Sequence, residues 1–94
     1  MRKKKKLFVM ISLDVEEEGL FGGKYRSRGA TIANAPNIRM LEPLFRDYGL
    51  PLTLFCAWAV FKDAKALETV LWMAENCQAE IGAHLHHWST PPWQ

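Results

Sequence analysis

Apolar and polar positions fall into blocks that mark three strands and two helices. Residues 7–13 (Leu-Phe-Val-Met-Ile-Ser-Leu) form a nearly continuous apolar run that ends at Asp14. That pattern suits a strand buried on both faces, as in a parallel sheet. A polar stretch with Gly22, Gly23 and Gly29 follows, up to about Ala33. It exceeds the usual strand-to-helix connection, which points to a working loop. Asn34 or Asn37 can cap the next helix, with Pro36 tolerated in its first turn. The apolar stripe of this helix is Ile38, Leu41, Phe45 and Tyr48. Pro43 predicts a kink, and Gly49 followed by Pro51 predicts the stop.

Residues 52–58 read as a second buried strand. Asp63 then caps a helix over 63–76 whose stripe, Leu67, Val70, Leu71 and Ala74, has i, i+3, i+4, i+7 spacing. Its Met and aromatic content reads as core, not as a cofactor box. Glu80-Ile81-Gly82-Ala83 makes a short third strand. The order is β-α-β-α-β, an α/β fold. Helical crossovers imply parallel neighbours and right-handed connections.

The chain of 94 residues holds one small domain. At 49% hydrophobic and 23% charged it is globular in composition. Its net charge of +2 depends on the run Lys3–Lys6, without which the remainder is slightly acidic. No aromatic residues interleave with that run. A nucleic-acid surface is therefore not expected, and residues 1–6 read as a solvated basic tail. Lys24, Arg26 and Arg28 in the long loop could meet an anionic substrate, although solvated loop charges are the more ordinary role.

The basic start and the run after it superficially match a signal peptide. The run is short, however, ends at Asp14 and lacks a small-residue cleavage site. No export signal is legible, a cytoplasmic location is the default, and no stretch is long enough for a membrane span. Cys56 and Cys77 form no CxxC motif and read as free thiols in a reducing compartment, with one disulfide as the alternative.

Every histidine lies just past the third strand, at His84, His86 and His87. Imidazole nitrogen suits zinc and similar divalent metals. In an extended segment His84 and His86 share a face; in a helical turn His84 and His87 do. His84 belongs to both pairs. The bland reading is a loop of solvated or hydrogen-bonded histidines. Parallel strands tilt the balance, because they bring Asp14 and Glu16, just past strand one, to the same sheet edge as the histidines. That edge is where α/β folds do chemistry.

Three stretches resemble the polysaccharide deacetylase family of metal-dependent carbohydrate esterases. Ile11-Ser12-Leu13-Asp14-Val15-Glu16 is similar to its acidic motif, and Glu80-Ile81-Gly82-Ala83-His84 to its histidine motif. Gly49-Leu50-Pro51-Leu52-Thr53-Leu54-Phe55 looks like its second strand. The resemblance runs from Phe8 to Trp93 and implies a distorted seven-stranded (β/α) barrel, of which residues 1–94 would be the N-terminal part. It implies removal of N-acetyl groups from an amino-sugar polymer or related carbohydrate. Asp14 matches the general base. The adjacent metal aspartate is replaced by Val15, so that role falls to Glu16. His84 matches the first metal histidine. The second family histidine falls on Trp88, which cannot ligate. A family variant reading His-Leu-His-Pro-Trp before Thr-Pro-Pro favours His86, with His87 in reserve. No residue matches the family's late histidine that protonates the leaving amine, so little or no activity is expected of residues 1–94 alone. The rival reading is a non-catalytic α/β metal-binding or interaction module.

Overall fold

In the computed structural model of the chain, which describes residues 4–25 and 31–92, three parallel strands form one sheet. β1 is Ile11–Val15, β2 is Leu52–Cys56 and β3 is Glu80–Ala83. β2 is central, with β1 and β3 on either side. The register aligns Leu13, Leu54 and Ile81 across the sheet, and next to them Asp14, Phe55 and Gly82. The mixed α/β architecture and the parallel direction agree with the sequence pattern.

β1 differs from expectation at both ends. Leu7–Met10 do not join it, and Phe8 and Met10 are 85% and 94% exposed. β2 starts directly after Pro51, so it offers partners only to Ile11–Val15. An apolar run with no strand beside it stays unpaired. At the other end Asp14 and Val15 pair with Phe55 and Cys56, so Asp14 lies inside β1, not past its end, and Glu16 is the first residue beyond it. The sheet is also not buried on both faces. Leu52, Leu54 and Cys56 are buried, whereas Phe55 on the opposite face is partly exposed.

The connection from β1 to β2 contains a 3-10 turn at Leu20–Gly22 and a 3-10 helix at Ala35–Leu41, followed by α1 at Glu42–Tyr48. The single kinked helix expected here is thus a 3-10 segment joined to an α-helix. Pro43 sits in the first turn of α1, where its missing N–H costs no bond, so it marks a start and not a kink. Asn34 precedes the 3-10 segment but makes no side-chain cap. Phe45 is buried, while Tyr48, expected in the stripe, is 72% exposed. Gly49 adopts φ +60° and closes the helix as expected. Arg26 and Arg28 lie outside the described residues.

The second strand stops two residues early. Trp58 begins a short helix, α2, at Trp58–Lys62. α3 then runs from Ala64 to Cys77, and the Asp63 side chain accepts a 2.9 Å bond from the Ala66 amide at its start. Its buried face is Ala66, Thr69, Val70 and Met73, with the expected periodicity but rotated by one position. Thr69 can be buried because its hydroxyl donates to the Lys65 carbonyl at 2.8 Å. Leu71, assigned to the stripe by sequence, is 52% exposed. α3 and the 3-10 segment cover one sheet face around Leu54, Cys56, Val60, Val70 and Met73. Both cysteines are free thiols, with Cys56 buried and Cys77 partly so. Among the described residues no helix is long and apolar enough to cross a membrane.

Candidate metal centre

Two backbone bonds level the strand ends and carry the ladder beyond them. The Ala57 amide donates to the Val15 carbonyl, and the His84 amide to the Cys56 carbonyl, each at 2.9 Å. Glu16 and His84 therefore leave the sheet at the same edge. Period-two alternation sets Asp14 and Glu16 on one face of β1 and Gly82 and His84 on the same face of β3. A Cβ on Gly82 would stand 3.1 Å from the Phe55 ring, so the glycine makes room for Phe55 on the open face just before the histidines.

The side chains converge there. Glu16 Oε2 is 3.3 Å from His84 Nε2 and 3.1 Å from His86 Nε2. One ligand atom from each of Glu16, His84 and His86 lies within 4.8 Å of the other two. A tetrahedral centre with bonds of about 2.0–2.1 Å has ligand-to-ligand edges of roughly 3.3–3.4 Å. The two observed edges come close to that spacing, and the set of two imidazoles and one carboxylate is the chemistry that first-row divalent ions take. The residues present fit such an ion.

Asp14 stands beside this triplet and outside it, with Oδ2 3.7 Å from His84 Nε2 and its side chain half exposed. His87 is exposed and packs edge-on against Trp88, so it joins neither the triplet nor a helical pair with His84. The extended alternative, His84 with His86, is the one adopted.

His86 is held more tightly than sequence reasoning foresaw. It is buried, and its Nδ1 lies 2.9 Å from Glu17 Oε1. Ser89 Oγ donates to the same oxygen at 3.0 Å. Trp88 stacks on the ring at 4.5 Å with planes 12° apart, and Tyr25 meets Trp88 edge-on. Burial alone would raise the Glu17 carboxyl. Hydrogen bonds from His86, its own backbone amide and Ser89, together with the His86 charge, outweigh burial and hold it below the ordinary carboxylate value. Glu17 Oε1 is placed to accept a hydrogen bond from the Nδ1–H of His86, which sets Nε2 towards Glu16.

Glu17 sits in the run Glu16-Glu17-Glu18, which looks like a solvated acidic patch. The available signal was parity: Val15 and Glu17 share the covered side, and both are buried. Glu18 serves the loop instead, accepting from the Thr31 hydroxyl at 2.7 Å and the Asn34 amide at 3.1 Å. A groove lined by Asp14, Glu16, Leu20, Phe21 and Ile38 adjoins the cluster. Compared with family models, with curated proteins and with solved structures, the chain gives no match.

Proposed function

We propose that Glu16, His84 and His86 hold a divalent metal, zinc by donor type, in a hydrolase site that removes N-acetyl groups from an amino-sugar polymer or related carbohydrate. The observation that carries this reading is the convergence of one carboxylate and two imidazoles at the C-terminal edge of a parallel sheet, with a second carboxylate beside them. The resemblance to polysaccharide deacetylases supplies the reaction and the proposed barrel. A bound metal would polarise the acetyl carbonyl and make a water molecule easier to deprotonate.

Asp14 takes the proton from the attacking water. Its place next to His84 but outside the triplet supports that division of labour. Oxygen adds to the acetyl carbon, the carbon–nitrogen bond breaks, and the amine leaves with a proton drawn from solvent while Asp14 gives up the one it took. No described residue is assigned to give that proton. The adjoining groove offers room for a sugar, and Phe21, wholly exposed on its lining, offers an aromatic face. The membrane, nucleic acid and oligomeric state have no part in this reading.

An aryl acetate tests the site, because a stabilised phenolate leaves without protonation. The zinc-loaded chain is expected to release acetate from such an ester while turning over acetylated chito-oligosaccharides slowly or not at all. Asp14→Asn should lower ester hydrolysis by about 10²–10⁴-fold, the usual contribution of a general base, with zinc affinity retained. Equal rates in wild type and Asp14→Asn would remove Asp14 from its role. Zinc binding without ester turnover would leave the rival reading, a non-catalytic α/β metal-binding module.

A further inference from the structure

We infer that Glu17 is the positioning residue of this centre: its buried carboxylate takes the Nδ1–H of His86 and so commits Nε2 to the metal side. The inference rests on the metal-binding reading of Glu16, His84 and His86.

Three contacts on the His86 ring support it. The Nδ1 edge meets Glu17 Oε1 at 2.9 Å, the opposite nitrogen meets Glu16 at 3.1 Å, and Trp88 stacks on one face. The ring is therefore fixed in plane and in orientation. An ionised carboxylate only accepts hydrogen bonds, so the nitrogen facing Glu17 must carry the proton. In the neutral ring the other nitrogen is then a lone pair, the form that binds metal. Ser89 donates to the same Glu17 oxygen at 3.0 Å, which anchors the carboxylate from the histidine loop itself.

Stability alone gives a poor account of Glu17. Its side chain is almost wholly buried, and its second oxygen, Oε2, has no hydrogen-bond partner among the described residues. An apolar residue of similar size would avoid that unsatisfied atom. The carboxylate makes sense as the group that selects a tautomer. Water favours the Nε2–H form of neutral imidazole, so the Nδ1–H form needs an acceptor held in place.

Nitrogen-15 spectra of the metal-free chain, taken where the imidazoles are neutral, read the tautomer directly. Wild type is expected to show His86 as Nδ1–H. Glu17→Gln keeps the size and removes the charge; it is expected to give a mixture of tautomers and a zinc affinity lower by about 10–100-fold, the usual effect of losing a ligand's orienting partner. Ser89→Ala, which leaves the Glu17–His86 bond in place, should retain the Nδ1–H form. An Nε2–H ring in wild type would overturn the inference and leave the metal reading standing on its own titration. An unchanged tautomer and zinc affinity in folded Glu17→Gln would overturn it as well. Failure of wild type to bind zinc would overturn the metal reading, and with it the role given to Glu17.

Discussion

Glu16 and His86 meet at 3.1 Å although they follow opposite edge strands of the sheet. Their encounter depends on the central strand, which sets the register of both neighbours, and on the bonds Ala57 to Val15 and His84 to Cys56. α3 packs over the same sheet, on the face that holds Leu54 and Cys56.

That packing predicts a contrast within α3. Met73 is fully buried and Leu71 is half exposed. Met73→Ala should destabilise by about 2–5 kcal/mol through lost burial and a residual cavity. Leu71→Ala should stay within about 0.5 kcal/mol of wild type. Urea unfolding followed by circular dichroism distinguishes the two, and similar losses would mean that the buried face has been misplaced.

The contrast also shows what the sequence could and could not reveal. Periodicity found α3, and Asp63 marked its start to within a residue. The apolar stripe lies one position from the buried face, because Thr69 is polar in sequence and is buried only with its hydroxyl bonded to Lys65. Order and direction of the strands were legible from the alternation with helices. Their ends were not, since Leu7–Met10 look like strand until the length of β2 limits them. Asp14, Glu16, His84 and His86 were legible as a cluster because they share a sheet edge. Glu17 was not, because burial of one acid in a run of three depends on a ring that arrives from the far end of the chain.

The cap of α3 gives a second prediction. Asp63 accepts from the Ala66 amide in a partly buried setting. Asp63→Ala should cost about 1 kcal/mol, and Asp63→Asn or Asp63→Ser only part of that. Thermal unfolding of the three variants is the check.

The cysteines give a third. Burial pushes the Cys56 thiol up to about 11, and burial raises Cys77 too, assisted by Glu42 and opposed by Arg46. Native protein at mildly alkaline pH should therefore alkylate at Cys77 well before Cys56, as read by mass spectrometry. The sign for stability follows from the same shift. Cys56 keeps its proton in the fold and loses it more readily unfolded, so its contribution is intact below the ordinary thiol value of 9.0 and is lost as pH rises toward 11. Cys56→Ala should flatten that alkaline decline. Rapid native alkylation of Cys56 would contradict its burial.

Calorimetric zinc titration is the sharpest check on the metal centre. The wild-type chain should bind one ion. His84→Ala should weaken binding by more than about 100-fold, beyond the roughly 10–100-fold expected from the loss of an orienting partner. Glu16→Ala and His86→Ala should weaken it comparably, while His87→Ala and Asp14→Asn should leave it unchanged. Equal zinc affinity in wild type and His84→Ala would contradict the site.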